Sequence, residues 1–151
     1  EETRPVSLAK AVATLADEVA QFRGELSAEM GAALFHHSPD AIVVVDAVAS
    51  VALFNSQAEL LFGYHRSEVA GRPVEVLLPE AVRDRHRGHR DGYLADPRRR
   101  PMGLGLRLVG RHKSGAEIPV DINLSPIVTT AGMYVIATVR KRRDVGGAAS
   151  G

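Results

Sequence analysis

The chain has 151 residues, 45% hydrophobic and 25% charged, which suits one domain of ordinary size plus an extension, with enough material for a real core. Lys and Arg number 19 and Asp and Glu 18, for a net charge of +1, which argues against a globally basic nucleic-acid binder. The absence of Cys excludes disulfides, Cys-ligated zinc, iron–sulfur clusters and thiolate chemistry, and no apolar run approaches the ~20 residues that span a bilayer. With no signal-peptide pattern at its start, a soluble, cytoplasmic protein or fragment is expected.

Residues 1–30 read as one amphipathic helix. Leu8, Val12, Leu15, Val19, Phe22 and Leu26 fall at a strict 4-3-4-3-4 spacing, the period of a coiled-coil seam. Pro5 and Ser7 suit its start. Ala and polar residues fill the other faces, which favours an intermolecular seam over packing on its own domain. Residues 31–143 form the domain proper. A short helix and Ser38-Pro39-Asp40 precede Ala41-Ile42-Val43-Val44-Val45, a Val-rich run suited to a buried strand. Asp46 to Ser50 turns the chain into a second strand, Val51 to Phe54, and Asn55 is placed to cap a helix from Ser56. Residues 56–100 are helical and irregular: an apolar face at Ala58, Leu61 and Phe62 closes at Gly63, and a polar helix runs from Glu80 to Leu94. Three strands follow over 102–143. Leu104, Leu106 and Leu108 alternate in the first, Ile118, Val120, Ile122 and Leu124 in the second, and Met133 to Arg140 makes the third. Residues 144–151 read as a flexible tail. This order predicts an α+β domain with a five-stranded antiparallel sheet and short helices on one face.

The order and its punctuation resemble the PAS sensor family. The residues that carry the likeness are Ser38-Pro39-Asp40-Ala41-Ile42, Phe54-Asn55, Ala58-Glu59, Leu61-Phe62-Gly63-Tyr64, Glu68, Gly71-Arg72, Leu77-Leu78-Pro79 and the stretch from Gly110 to Ile127. They span about residues 30–143. Within that family the pattern is similar to the haem-binding PAS domain of FixL-type oxygen-sensor kinases, through Leu77-Leu78-Pro79-Glu80, Arg83, Arg85-His86 and Gly103-Leu104-Gly105. The resemblance implies haem b with His86 as its proximal ligand and Ile122 and Leu124 as apolar distal contacts. Met102 belongs with the cofactor-binding candidates. The arginine that contacts oxygen in that family falls on Leu106 here, and the one associated with a propionate falls on Gly92, with Arg90 the nearest substitute. Adjacent strand residues point to opposite faces, so Arg107 does not replace Leu106, and weak oxygen discrimination or a different gas or redox role is expected if haem is bound.

The residues themselves leave alternatives open. His86 and His89 share a helix face, and a neutral imidazole is a competent iron ligand; two histidines on a solvated, arginine-rich helix is the other reading. As a zinc site the pair lacks ligands, with Asp91 a weak third. His36, His37 and His65 stand at element ends and carry no expected chemistry. Arg83, Arg85, Arg87, Arg90, Arg98, Arg99 and Arg100 make a local basic zone suited to a propionate, phosphate or carboxylate, while Arg140 to Arg143 read as strand-end solvation. Gly71-Arg72-Pro73-Val74 holds no Cys, so cysteinyl-flavin photochemistry is excluded. No catalytic signature is present, and any enzyme activity is expected outside this chain.

Two functions compete. The first is a sensory input module of a signalling or transcription-regulating protein, dimerised through residues 7–29 and the sheet, coupling cleft occupancy to a downstream effector domain. Its cleft would hold haem, or a small apolar ligand between Val43, Val45, Leu61, Ile122, Leu124 and Ile136. The second is a ligand-free interaction module that only dimerises. Contact with nucleic acid through the basic zone is a weaker third, and no membrane partner is expected.

Overall fold

The computed structural model describes residues 7–95, 100–102 and 108–143. They divide into two units between His36 and His37. The first is essentially one helix, α1, Leu8–His37, none of whose residues is buried. It runs uninterrupted through Gly24 and Gly31, so the separate short helix expected after residue 30 is its last two turns. A helical glycine costs only about 1 kcal/mol against alanine, and no proline intervenes before Pro39. The heptad stripe is exposed along its whole length, from 42% at Val19 to 80% at Leu8, and Met30 and Leu34 extend it at steps of four.

The second unit is built on a single antiparallel sheet. Its strands are β1 (Ala41–Val45), β2 (Val51–Phe54), β3 (Arg100–Met102), β4 (Leu108–Arg111), β5 (Glu117–Thr129) and β6 (Gly132–Lys141). They occupy five lanes in the order β2-β1-β6-β5, with β3 and β4 sharing the lane beside β5. β3 ends with Met102 opposite Ile122 and β4 begins with Leu108 opposite Val120, while Leu104 and Leu106 of the expected strand lie outside the described residues.

The β1–β2 turn forms because Asp46 folds back on the backbone: its Oδ1 accepts from the N–H groups of Val48 at 3.1 Å and Ser50 at 2.9 Å. The strands' alternation then sorts side chains to two faces. Ala41, Val43 and Val45 stand opposite Val139, Ala137 and Val135 of β6, and Val139 and Ala137 in turn face Ile122 and Leu124 of β5. This is the inner face, which joins Phe54, Ala58, Phe62, Val69 and Leu77 in one core. Ile136 pairs with Val44 and therefore lies on the outer face, so it leaves the set of cleft-lining residues that the sequence suggested. Val43, only 2% exposed, is core rather than cleft wall.

The helical layer consists of α2 (Ser56–Phe62), α3 (Arg66–Val69), 3-10 turns at Val74–Leu77 and Glu80–Val82, and α4 (Arg83–Ala95). Gly110 on β4 lies against the Phe62 ring, which a Cβ there would meet at 3.0 Å, and the rings of Phe54 and Phe62 pack with centroids 6.0 Å apart. Among the described residues no helix is long and apolar enough to cross a membrane.

Candidate functional site

The inner face is covered unevenly. Ile118 and Val120 are buried, whereas Ile122 and Leu124, further along the same face of β5, are only partly so. Leu61, Val74, Val76, Leu108 and Ala137 are likewise half-covered apolar groups at the margin of the core. The alternation of β5 thus places the two expected apolar contacts on the helix-bearing face with surface to spare.

One end of this layer is locked by a turn. His65 caps α3 in a reciprocal box: its ring nitrogen accepts from Ser67 N–H at 3.2 Å, and its own N–H donates to Glu68 Oε2 at 2.6 Å. Glu68 also takes the Lys113 ammonium from the β4–β5 turn, and Lys113 N–H donates to the Phe62 carbonyl at 2.8 Å. Gly63 ends α2 at φ 78°, and the His112 ring lies so close that a Cβ on Gly63 would meet it at 2.3 Å. His65 therefore has a structural task that its position at an element end did not reveal.

At the other end stands His86, on the first turn of α4. Its Nδ1 lies 2.7 Å from Oε2 of Glu75, on the 3-10 turn Val74–Leu77. Glu75 is buried, at 1% exposure, while the His86 side chain keeps 30%. Arg87 Nε stands 3.8 Å from the other Glu75 oxygen, and the same guanidinium donates to Asp84 at 2.7 Å. Arg83 donates to the Leu78 carbonyl at 3.1 Å. Two members of the expected basic zone are thus engaged within the protein, while Arg85 is exposed. Sequence reasoning missed Glu75 because a lone acid in Val74-Glu75-Val76-Leu77 carries no sign of burial and its partner lies 11 residues away.

Met102 stands opposite Ile122 in the ladder, and Arg90 is on α4 one turn beyond His86; their side chains, with those of His89, Asp91, Arg98, Arg99 and Arg100, lie outside the described residues, as does Leu106 altogether. Among the described residues no group of three or more His, Asp or Glu could hold a metal ion. The carboxy-terminal cations are more than strand-end solvation: Arg140 Nε donates to Asp40 at 2.8 Å and Arg142 to Asp121 at 2.8 Å. The hydrogen bonds that Asp40 accepts from it, and the charge of Asp40, hold the Arg140 guanidinium above its ordinary pKa.

The order of the sheet, with its helices gathered on one face, agrees with the family profile of the PAS fold, which matches residues 29–142. The chain belongs to the PAS family. PAS domains are sensory modules of signalling proteins rather than catalysts. This one is similar to the sensor protein FixL of Bradyrhizobium diazoefficiens, 29% identical over 71% of this chain and 21% of FixL. It is also similar to the oxygen sensor protein DosP of Escherichia coli, 32% identical over 65% of this chain and 12% of DosP. The chain thus spans about a fifth or less of these relatives. Among solved structures, the PAS domain of an HTR-like protein from Haloarcula marismortui superposes with a TM-score of 0.68 at 22% identity, covering 83% of this chain and 99% of that one. That likeness speaks for the PAS fold alone.

Proposed function

We propose that this PAS domain is a sensory input and dimerisation module of a larger signalling protein, in which occupancy of the inner-face cleft biases the packing of paired α1 helices and so the state of an effector. The observation that carries the reading is the unbroken exposed apolar stripe from Leu8 to Leu26 on a helix continuous in sequence with a sensor fold. Such a stripe at heptad spacing is stable in water when it meets another of its kind. A ligand then acts through its differential affinity for two packings, a few kcal/mol being enough to move the population.

Haem b is the group that the FixL-type resemblance implies, and the chemistry of the residues present fits it. With Glu75 on Nδ1, the His86 ring keeps Nε2 as the nitrogen able to meet a metal. Ile122 and Leu124 offer half-covered apolar walls, with Met102 in register beside Ile122, and Arg90 would serve a propionate. When bound, haem supplies an iron that takes a diatomic ligand or changes redox state. An absorption spectrum after haem addition tests this. A Soret band that responds to reduction and CO, and is lost in His86→Ala and in His86→Gln, is expected; a spectrum indistinguishable from free haem removes the reading. Gln at this position can still donate to Glu75, which guards against simple unfolding.

A second reading is supported by the same pair. Glu75 is compensated from within the protein by His86 and Arg87, as a ligand-free interaction module would require. A stable dimer that takes up no haem favours it. Removing residues 1–29 should weaken self-association in sedimentation analysis under both readings, and an unchanged dimer would place the interface on the sheet instead.

A further inference from the structure

Glu75 is an acidic side chain at 1% exposure, on the 3-10 turn Val74–Leu77, with a second 3-10 turn, Glu80–Val82, between it and the helix that carries His86. A carboxylate in that position needs donors, and the residue that reaches it at 2.7 Å is the His86 ring through Nδ1. A carboxylate only accepts. The ring therefore donates from Nδ1, and in its neutral form carries its lone pair on Nε2.

We propose that Glu75 is a positioning residue for an axial-ligand histidine: it fixes His86 in the Nδ1–H tautomer and, as a charged acceptor, makes Nε2 a strong electron donor that favours ferric over ferrous iron. The inference rests on the haem reading of His86. Its physical basis is that a carboxylate accepting the second N–H of a metal-bound imidazole sets the ring's orientation and raises its basicity. Hydrogen bonding at that distance from the metal is one of the levers by which a protein sets a haem's potential. Arg87 Nε, 3.8 Å from Glu75 Oε1, places a cation on the far side of the carboxylate. That arrangement draws charge away from the ring and sets an upper bound on the effect, so the Glu75 charge and the Arg87 charge act in opposite directions on His86. The consequence is a sensor tuned toward the oxidation state of its iron.

Two measurements test it. In the haem-free protein, at mildly alkaline pH, nitrogen NMR of the His86 ring should show a protonated Nδ1 and a bare Nε2, and Glu75→Ala should move the proton to Nε2. A wild-type ring already protonated at Nε2 overturns the proposal without reference to haem. In the haem-loaded protein, Glu75→Gln keeps an acceptor at the same reach and removes the charge. The ferric-to-ferrous affinity ratio should fall at least about tenfold, an upward shift of about 59 mV in the one-electron midpoint, with a lowered iron–histidine stretching frequency. An unchanged midpoint and stretch in a variant that loads normally overturn the role of Glu75 and leave the haem reading standing. Failure of the wild type to load haem overturns both.

Discussion

The Asn55 side chain accepts the backbone N–H of Ile42 at 2.8 Å, across 13 residues of sequence, and donates from Nδ2 to the Asp40 carbonyl at 3.0 Å. The same Oδ1 accepts the Ala58 N–H at 2.9 Å and so caps α2. One buried amide thereby joins the first strand of the sheet to the first helix of the layer above it. Asn55→Ala removes a cap and leaves the Ile42 N–H of β1 and the Asp40 carbonyl before it short of a partner, and should cost about 2–3 kcal/mol. Urea unfolding followed by far-UV circular dichroism measures it, and a loss below about 0.5 kcal/mol, far under an ordinary cap, would mean that the clamp is dispensable.

Gly63 offers a second stability test. At φ 78°, with the His112 ring where a Cβ would go, alanine meets two separate obstacles. Gly63→Ala should cost about 1–3 kcal/mol. His112→Ala in the same background should return the part due to the clash and leave the part due to the backbone, a coupling that a double-mutant cycle of thermal midpoints resolves. Full additivity would show that the ring simply swings aside.

Acid should loosen the helical layer at its α2–α3 corner. The Arg66 guanidinium, through its hydrogen bonds, holds the Glu59 carboxyl below the usual range, and Lys113 with the His65 N–H does the same for Glu68. A carboxyl whose folded pKa is depressed contributes stability above its unfolded value, about 4.3, and that contribution is lost as pH falls through the folded value. Stability should therefore decline below about pH 4, and Glu59→Gln with Glu68→Gln should flatten that decline. The pairs are exposed, so the effect is small and shrinks in salt. Thermal midpoints across the acid range, at two ionic strengths, would show an unaltered slope if these pairs carry none of it.

The stripe on α1 makes a prediction about assembly. Leu15→Glu with Phe22→Glu places two charges in the middle of the seam, where both residues are more than half exposed. The variant should sediment as a monomer or a much weaker dimer, with the strand signal in circular dichroism unchanged. An unaltered dimer would assign self-association to the outer face of the sheet, where Ile136 and Val44 lie.

What could be read from the residues depended on how far apart the interacting groups lie. The β1–β2 hairpin, the Asn55 cap, the Gly63 stop and the alternation of Ile118, Val120, Ile122 and Leu124 are each local, and the structure has them where the sequence places them. The side of the sheet taken by β6 was hidden, because Tyr134-Val135-Ile136-Ala137 is apolar in both parities and only the pairing with β1 separates Val135 from Ile136. The His86–Glu75 contact depends on how a 3-10 turn docks beside a helix, which no spacing rule encodes.

The steps of four at Met30 and Leu34 give α1 a change of phase. At about 100° per residue, a step of four carries the apolar stripe forward by about 40° and a step of three carries it back by about 60°. From Leu8 to Leu26 the two alternate and nearly cancel, so a left-handed pair stays in contact. Beyond Leu26 successive fours add, and the stripe walks around the helix. Two α1 helices wound together along their first five turns would have to unwind over the last ones, or abandon Met30 and Leu34. In such a pair, rotation at one end of that stretch would be geared to separation at the other, over a rod about 45 Å long.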